Sequence, residues 1–442
     1  MSIIYVSGLS GSGKSTFAKL LAEKLNYDYL SVDSIAHDLY NKECVLKKVK
    51  ELFGNAVFDE NGTFNRKKLG KIFFENKNSE VVKEYEDFTF SVAKSEIEEK
   101  IKGNVVVDWI LTPTTFLWQL NAIRILVKPI SNDLRYQKIM ERDNVSLDYI
   151  ISRDKAAPNF VESEFDFVIE NDYSEGGLNS KVEETASKIN DRVTLRVLGE
   201  SSPYALSEGA CPSYLVTNKN CQLLLDCGSG SHRNYDFKNL NGLNIIISHL
   251  HKDHFNDVFN YQYAALVKNN HKEMNKSVNI YLPDYDSDIA KIILDEQSEY
   301  CTCYEINSNT KLTIEDFSLE FIKVEHSTSL TSYAVKITKG GLKIVYTGDL
   351  SYSNYEKISS FASGADLLVI ESSLLVSHGF SEICSHLTAK QAGKIAKKAN
   401  VKKVLLTHFW PHEDRNNYLV EAKSEFNNVI IASMNKEIYL FD

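Results

Sequence analysis

Residues 243–254 read LNIIISHLHKDH, an apolar run that leads directly into a cluster of polar side chains. A short apolar run bounded by polar residues is consistent with a buried strand. Three imidazoles and one carboxylate follow it, from His249, His251, Asp253 and His254. These are the ligand types that Zn²⁺, Mn²⁺ and Fe²⁺ prefer, and their spacing can supply two adjacent metals. Because such a cluster has no use in packing, the sequence predicts a metal centre after this strand.

The motif is that of the metallo-β-lactamase superfamily, which residues 193–442 resemble along essentially their whole length. Further candidate ligands follow apolar strands predicted at 319–324, 342–346 and 404–407. The resemblance implies one metal held by His249, His251 and His326, a second held by Asp253, His254 and His408, and Asp349 as a bridge. It also implies that Asp226 orients a ligand histidine. We therefore expect two divalent transition metals, zinc or manganese, in an αββα sandwich of two mixed sheets with helices outside.

Hydrolysis at such a centre also needs a proton donor for the leaving group. The candidate is His386, which stands just before a helix in which Thr388 and Gln391 can form a capping box. Its position resembles the non-ligand histidine of the phosphodiesterase branch, which includes ribonuclease Z and small cyclic-nucleotide phosphodiesterases. The alternative is a histidine that makes only a local hydrogen bond at the helix start. We expect Asp253 to act in catalysis as well as in metal binding.

The features that accompany the centre narrow the predicted substrate. A transfer-RNA processing enzyme would be expected to carry an added basic or glycine-rich arm, and the sequence shows no such arm. The lysine-rich stretch at 394–403 is typical of a solvated helix face. A net charge of −10 also argues against a general nucleic-acid or membrane-surface binder. We predict a small phosphodiester such as a cyclic nucleotide, and neither nucleic acid nor membrane as a partner.

A second motif opens the chain, where residues 3–16 read IIYVSGLSGSGKST. It matches the phosphate-binding pattern G-x-x-x-x-G-K-[ST] between an apolar strand and a helix. Backbone N–H groups of such a loop turn towards the β-phosphate, and the helix N-terminus adds positive charge. The residues predicted to bind nucleotide are Gly8, Gly11, Ser12, Gly13, Lys14, Ser15 and Thr16. We expect Lys14 to reach the β- and γ-phosphates and Ser15 to bind Mg²⁺, so that ATP and Mg²⁺ are the predicted cofactors.

Around this loop, apolar strands at 3–7, 29–32, 104–109, 123–128 and 165–169 alternate with helical stretches. The alternation predicts an α/β domain with a parallel sheet and helices on both faces. Most of residues 1–190 resembles the dephospho-coenzyme A kinases, through VDSIAHDL at 32–39, LFGN at 52–55, DENG at 59–62, NRKKL at 65–69 and ERD at 141–143. The resemblance implies that Asp33 accepts the proton of the substrate hydroxyl. It also implies that Arg142, together with Arg153, stabilises the transferring phosphoryl group, the alternative for Arg142 being a surface ion pair.

Two segments depart from the pattern of that kinase family. Leu9 and Ser10 stand where the family usually has a second glycine and an apolar residue. Asp108 is followed by WILTP at 109–113, where the family usually carries an aspartate-proline-leucine-leucine-type segment. Because the later segment shapes the acceptor pocket, the sequence predicts ATP binding more directly than it predicts dephospho-coenzyme A as the acceptor.

Composition and pattern set the remaining expectations. The strands become shorter near residue 190, which predicts two domains, 1–190 and 191–442. Hydrophobic residues make up 43% and charged residues 25% of the chain, as in globular proteins with a core. Seven cysteines without a Cys-x-x-Cys pair, and no pattern of a signal peptide or membrane span, predict a reduced, cytoplasmic protein. A homodimer remains an open option.

Several functional interpretations follow from the two motifs. The leading one is a bifunctional enzyme that combines ATP-dependent phosphoryl transfer, like that of dephospho-coenzyme A kinase, with dinuclear-metal hydrolysis of a phosphodiester. In a second, the kinase domain is a nucleotide-sensing module that regulates the hydrolase. In a third, the hydrolase cleaves a thioester, lactone or lactam, or processes RNA. A pure scaffold would leave both sets of site residues unexplained.

Overall fold

The computed structural model describes residues 2–66, 68–70, 72, 80–110, 118, 121–380 and 384–442. Residue 67 of the NRKKL segment and residues 111–113 of the WILTP segment lie outside the described residues. The chain divides into two compact units, Met1–Ser187 and Lys188–Asp442. Within the described ranges, none of the helices combines the length and the apolar character that crossing a bilayer requires.

The first unit is built on a parallel sheet. Its strands are β1 (Ile3–Ser7), β2 (Asp28–Ser31), β3 (Val105–Asp108), β4 (Ile123–Pro129) and β5 (Phe167–Asn171). They follow the order β2-β3-β1-β4-β5, and every pairing among them is parallel, which confirms the predicted sheet. The described α-helices of this half are α1 (Lys14–Leu25), α2 (Val32–Asp38), α3 (Glu43–Phe53), α4 (Glu80–Lys100), α5 (Asn132–Asp143), α6 (Leu147–Ala156) and α7 (Gly177–Asn190).

The centre of this sheet positions the phosphate loop. All five residues of β1 are buried, and β1 lies between β3 and β4. Gly13 precedes α1, which buries Phe17 and Leu21. Because the carboxyl ends of parallel strands meet at one edge of a sheet, the loop after β1 lies beside Asp108 and Asn171, which end β3 and β5.

The second unit contains two seven-stranded sheets. Its strands are β6 (Val193–Gly199), β7 (Ser213–Thr217), β8 (Gln222–Leu225), β9 (Asn244–Ile246), β10 (Val278–Leu282), β11 (Cys301–Glu305), β12 (Lys311–Ile314), β13 (Phe317–Val324), β14 (Ser332–Lys339), β15 (Leu342–Tyr346), β16 (Leu367–Glu371), β17 (Lys403–Thr407), β18 (Val429–Ile431) and β19 (Glu437–Leu440). One sheet has the order β11-β10-β9-β8-β7-β6-β19 and the other β12-β13-β14-β15-β16-β17-β18. Both mix parallel and antiparallel pairs, as predicted.

The two sheets of this unit share one apolar core. Leu195 of the first sheet belongs to the same buried cluster as Phe321 and Val335 of the second. The described α-helices are α8 (Lys252–Phe255), α9 (Val258–Asn270), α10 (Asp288–Asp295), α11 (Tyr355–Phe361), α12 (Ala389–Ala399) and α13 (Arg415–Lys423). Helix α9 packs on β10 and β11, and α12 packs on β16 and β17. Helices therefore cover the sheets, which confirms the αββα fold.

One edge of these sheets collects the polar residues of the metal motif. Strands β8 and β9 are parallel, and so are β15, β16 and β17. Their carboxyl ends therefore lie on the same side of each sheet, and the residues that follow them can meet. The histidine cluster follows β9, Asp349 follows β15 and His408 follows β17 directly.

Candidate functional site

The phosphate loop adopts backbone angles that favour glycine. Gly11 and Gly13 have φ angles of 78° and 95°, in the left-handed region. A Cβ added to Gly13 would lie 2.4 Å from Asn171 Nδ2, and one added to Gly11 would lie 2.5 Å from Ile139 Cγ1. The loop therefore has neither the backbone freedom nor the space for side chains at these two positions.

Lys14 lies buried at the start of α1 among carboxylates. Its Nζ is 2.9 Å from Asp108 Oδ1, 3.3 Å from Ser15 Oγ and 4.0 Å from Asp33 Oδ2. Asp108 is itself buried, and Tyr29 OH donates a hydrogen bond of 3.0 Å to its Oδ2. The structure thus brings together three of the residues that the sequence singled out. It adds Asp108, whose contact with Lys14 the sequence analysis missed.

A cavity of about 790 Å³ opens over the loop. Its walls include Ser10, Gly11, Gly13, Lys14, Ser15, Thr16, Asp33 and Arg142, whereas Gly8 and Ser12 are buried. The Arg142 side chain is 61% exposed and donates two hydrogen bonds of 2.7 Å to Asp143. Arg142 therefore forms the surface ion pair that was the alternative to a catalytic role, while still lining the cavity.

Three side chains from distant parts of the chain hold the phosphate loop. Each donates a hydrogen bond to a backbone carbonyl oxygen of the loop: Arg135 NH1 to Ser10 at 3.0 Å, Tyr173 OH to Gly11 at 2.8 Å, and Asn171 Nδ2 to Ser12 at 2.9 Å. Arg135 is fully buried and pairs with Asp154. These residues are 125 to 162 positions from their loop partners, so no local spacing could reveal them.

In the second unit, three imidazole nitrogens converge on a carboxylate. His249 Nε2 lies 2.9 Å from His251 Nδ1, which lies 3.1 Å from His326 Nε2. Asp349 Oδ2 is 3.7 Å from His249 Nε2 and 3.7 Å from His326 Nε2. Donor atoms around a tetrahedral ion with bonds of about 2.0–2.2 Å lie at comparable separations. These four residues can therefore hold one metal ion.

A second donor set adjoins the first through the same aspartate. His254 Nε2 is 3.1 Å from His408 Nε2, and Asp253 Oδ2 lies 3.7 and 3.5 Å from these two nitrogens. Asp349 Oδ2 is 3.4 Å from His254 Nε2, and its Oδ1 is 3.1 Å from His408 Nε2. The seven residues that the sequence singled out thus form two adjacent groups with Asp349 between them.

Four of the histidines are oriented by a hydrogen bond at the ring nitrogen that faces away from the centre. The Nδ1 atom of His249 lies 3.0 Å from Ser248 Oγ, and that of His254 lies 2.7 Å from Asp226 Oδ2. The Nδ1 atom of His326 lies 2.8 Å from the Ser385 carbonyl oxygen, and that of His408 lies 2.7 Å from Ser373 Oγ. A carboxylate and a carbonyl can only accept, so His254 and His326 donate from Nδ1. Their Nε2 lone pairs are then free to bind a metal.

Asp226 is saturated with hydrogen bonds from the protein. Its oxygens accept from Ser248 N at 2.7 Å, from Ser248 Oγ at 2.8 Å, and from Tyr346 OH and His254 Nδ1. It is fully buried and has a left-handed φ of 56°. These contacts leave it the task of orienting His254 rather than of binding a metal.

The charge distribution of the pocket favours cations. Burial would lower the pKa of His254, but Asp349, Asp253 and Asp226 raise it well above its ordinary value. Burial and the neighbouring His254 instead hold the pKa of His249 well below its ordinary value. The buried Asp349 Oδ1 accepts no hydrogen bond from any described residue. Carboxylates clustered among imidazoles, with the buried Asp349 Oδ1 between the two donor sets, fit a pair of divalent cations.

His386 stands beside the metal ligands without belonging to either donor set. Its Nδ1 lies 3.0 Å from Glu371 Oε1, 3.2 Å from Ser373 Oγ and 4.0 Å from Asp349 Oδ2. Burial would lower the pKa of His386, but the contact with Glu371 raises it above its ordinary value. Because Nδ1 faces Glu371, Nε2 is the nitrogen that remains for a substrate.

Glu371 is a residue of the candidate site that the sequence analysis missed, since its Oε1 lies 3.0 Å from His386 Nδ1. It ends β16, is 1% exposed, and accepts hydrogen bonds from Leu350 N, Leu387 N and Ser373 Oγ. A charged residue that closes an apolar strand was the available signal. The predicted capping box of α12 is confirmed, since the side chains of Thr388 and Gln391 each bond the other's backbone N–H.

Comparison with known proteins gives each unit a family. Residues 2–175 match the family model of dephospho-CoA kinase, and residues 222–409 match that of the beta-lactamase superfamily domain. The dephospho-CoA kinase of Fusobacterium nucleatum is 31% identical over 203 residues, which cover 42% of this chain and 99% of that protein. The families imply ATP and Mg²⁺ in the first unit and divalent metal in the second.

The second unit also has relatives among known proteins. The probable metallo-hydrolase YhfI of Bacillus subtilis is 28% identical over 236 residues, covering 53% of this chain and 94% of that protein. Its crystal structure superposes with a TM-score of 0.52, covering 57% of this chain and 100% of that one. Ribonuclease Z of Archaeoglobus fulgidus is 25% identical over 296 residues, covering 53% of this chain and 94% of that protein. The chain therefore joins a kinase of the dephospho-CoA kinase family to a metal-dependent hydrolase of the metallo-β-lactamase superfamily.

Proposed function

We propose that residues 191–442 form a domain that hydrolyses a small phosphodiester at two divalent transition metals, zinc or manganese. In the same proposal, residues 1–190 form a domain that transfers a phosphoryl group from ATP to a hydroxyl of a small, coenzyme A-like acceptor. For the hydrolase, the observation that carries the proposal is the pairing of two donor sets through Asp349 with His386 beside them.

The chain's own residues divide the hydrolytic work. When bound, the two metals supply Lewis-acid charge and lower the pKa of water. His249, His251 and His326 would hold one of them, and Asp253, His254 and His408 would hold the other. His386, fixed at Nδ1 by Glu371 over 3.0 Å, is placed to give the proton on Nε2 to the leaving oxygen. Asp253 contributes to catalysis by positioning the second metal.

The relatives support a substrate of small size. The alignment with YhfI runs over 236 residues and covers 53% of this chain, so it contains almost no insertions. The alignment with the archaeal ribonuclease Z covers the same share of this chain but runs over 296 residues, so that relative carries stretches without a counterpart here. In the lysine-rich stretch, Lys398 pairs with Glu356 and Lys402 with Asp366. These pairs remove part of the basic surface that RNA would need.

RNA is nevertheless the second candidate substrate. Two ribonuclease Z relatives, from Archaeoglobus fulgidus and Picrophilus torridus, are 25% and 28% identical and are covered over 94% and 87% of their lengths. This similarity weighs against the expectation that nucleic acid is not a partner. Processing of an RNA 3′ end would use the same two metals and the same proton donor.

For the kinase domain, the proposal rests on the group around Lys14. Asp33 Oδ2 lies 4.0 Å from Lys14 Nζ and faces the cavity of about 790 Å³ over the phosphate loop. Asp33 is therefore placed to accept the proton of an acceptor hydroxyl while Lys14 and Ser15 bind the phosphates and Mg²⁺. We also propose that the Arg142 side chain can break its ion pair with Asp143 and contact the transferring phosphoryl group.

The hydrolase is tested with the purified protein supplied with Zn²⁺ or Mn²⁺. The substrates are bis-p-nitrophenyl phosphate, a panel of cyclic nucleotides, a transfer-RNA precursor with a 3′ extension, a thioester and a lactone, with His254→Ala as the control. We expect turnover of the diesters that the control loses. Turnover of the thioester or lactone alone would contradict the proposal, and cleavage of the RNA precursor alone would replace the small substrate by RNA.

The kinase is tested with ATP, Mg²⁺ and dephospho-coenzyme A, with Lys14→Ala as the control. We expect a product phosphorylated at the 3′ hydroxyl, which the control does not form. ATP binding without transfer to this or any related acceptor would instead support a nucleotide-sensing module that regulates the hydrolase.

A further inference from the structure

Three aromatic side chains form an exposed group on the second unit, which we call the aromatic rim: Tyr204, Trp410 and His412. Tyr204 is 44% and Trp410 40% exposed, and His412 is exposed as well. The ring centroids of Tyr204 and Trp410 are 5.6 Å apart. The centroid of the His412 ring lies 6.1 Å from that of Tyr204 and 5.8 Å from that of Trp410. Large exposed aromatic rings in mutual contact are a common mark of a ligand site.

One segment that carries the rim starts at the candidate metal ligand His408, and the other starts at Ser202, which is hydrogen-bonded to the candidate ligand Asp253. Trp410 follows His408 by two residues, and Tyr204 follows Ser202 by two residues. Ser202 Oγ donates a hydrogen bond of 2.8 Å to Asp253 Oδ2. Because two residues of extended chain span at most about 7 Å, the backbone of Tyr204 and of Trp410 lies within about that distance of Ser202 and His408, which places the rim close to the metal centre.

The protein holds the rim in a fixed position. Backbone hydrogen bonds of 3.0 and 2.9 Å join residues 200–202 to Phe409. Arg415 NH1 donates a hydrogen bond of 2.9 Å to the Trp410 carbonyl. Tyr204 OH and His412 Nε2 are 3.2 Å apart. A surface fixed in this way can bind a planar group without ordering its own side chains first, which favours affinity.

The spacing of the rings decides which kind of ligand fits. Centroids about 6 Å apart leave no space for a guest between the rings, so the rim is not a cage for a cation. A ligand can meet only the outward faces, and these suit stacking by a planar aromatic group. Every nucleobase has such a face, and stacking on aromatic side chains is how many proteins hold bases next to a bound phosphate.

We propose that Tyr204, Trp410 and His412 form a stacking surface for the nucleobase of the nucleoside that flanks the scissile phosphodiester. This inference rests on the proposed phosphodiesterase function and names its substrate class as nucleotide-like. The group that is recognised is the nucleobase, which is present both in a small nucleotide and at the end of an RNA.

The test compares two diesters with the same leaving group, thymidine 5′-(p-nitrophenyl phosphate) and methyl p-nitrophenyl phosphate, on the metal-loaded full chain. We expect the first to have the higher kcat/KM. The ratio of the two kcat/KM values should fall about tenfold in Trp410→Ala and Tyr204→Ala. It should be largely restored in Trp410→Phe, and Tyr263→Ala, which removes a 70% exposed ring from α9, should keep it. A ratio that is the same in Trp410→Ala and the native protein would overturn the proposal.

A binding measurement separates this inference from the proposed reaction. Equilibrium dialysis of thymidine 5′-monophosphate and 2-deoxyribose 5-phosphate gives the contribution of the base without turnover. If neither diester is hydrolysed, the phosphodiesterase proposal fails, and the stacking surface is then judged by this comparison alone. Equal affinity for the two phosphates, or a base effect that Trp410→Ala leaves unchanged, would disprove it. A ten-nucleotide single-stranded RNA in the same assay shows which source of the base is bound more tightly.

Discussion

The phosphate loop is one continuous segment of the chain, whereas the metal centre collects its side chains from four separate segments. Main-chain conformation shapes the loop, and Gly11 and Gly13 leave no room for a Cβ. In the metal centre the side chains are the binding groups, and a second set of residues such as Asp226 orients them. We therefore expect nucleotide binding by the loop to be most sensitive to substitutions that add side-chain atoms. Metal binding by the centre should be most sensitive to substitutions that remove them.

The largest contrast between the two sites concerns their ions. Treatment with 1,10-phenanthroline should abolish diester hydrolysis, because the imidazole-rich centre needs a transition metal. ATP-dependent phosphoryl transfer with Mg²⁺ should persist, since Mg²⁺ binds oxygen ligands and is not removed. Both activities are measured on the same sample before and after treatment, with readdition of Zn²⁺ or Mn²⁺. Loss of both activities together would show that the two sites are not separate.

His386→Ala probes the side chain that lies beside the centre without belonging to it. We expect kcat for an unactivated diester to fall roughly 10²- to 10⁴-fold, the usual contribution of a general acid. Bound metal, measured by elemental analysis, should stay at the native amount. A diester with a p-nitrophenolate leaving group serves as the control, because it needs little protonation and should lose much less. Equal losses on both substrates would contradict the role of proton donor.

Asp226→Asn tests the residues that orient the ligands. The amide cannot accept all the hydrogen bonds that converge on the carboxylate, so His254 should be less well oriented. We expect metal affinity to fall roughly 10- to 100-fold, as for other partners of ligand histidines. Competition with a chromogenic chelator measures it. An unchanged metal affinity would mean that Asp226 is not needed to orient His254.

Gly13→Ala tests the complementary expectation for the phosphate loop. The added Cβ meets Asn171 Nδ2 and a left-handed φ of 95°, so the loop must shift. We expect the dissociation constant for ATP to rise at least about tenfold, since a cost of 1.4 kcal/mol gives that factor. Diester hydrolysis should not change, and it serves as the internal control. ATP binding at native strength would show that the loop tolerates the added atom.

The smallest effect is expected from Thr388→Ala at the start of α12. The substitution removes the N-cap oxygen that accepts from Gln391 N at 3.1 Å. Loss of such a cap costs about 1 kcal/mol of the free energy of unfolding. Chemical denaturation measures this loss, and Thr388→Ser, which keeps the oxygen, is the matched control. A change in diesterase activity larger than the change in stability would show that the cap also positions the neighbouring His386.

The two sites also differ in how far sequence reasoning reached. The phosphate loop, the histidine cluster and the parallel sheet were predictable, because each depends on neighbours along the chain or on a local periodicity. Asp108 and Glu371 were within reach, since each is an acid that closes an apolar strand. The prediction for Arg142 remains open because its carboxylate partner is the next residue, a pairing that the sequence offers as readily as a catalytic role.

By itself, the sequence determined which chemistry is present in each half of this protein. Only the tertiary structure decided how that chemistry is supported: Arg135, Asn171 and Tyr173 behind the phosphate loop, Glu371 on His386, and Tyr204 against Trp410. The physical reason is that hydrogen bonds and ring contacts between distant segments leave no regular spacing in the sequence. They exist only once parallel strands have brought their carboxyl ends to a common edge.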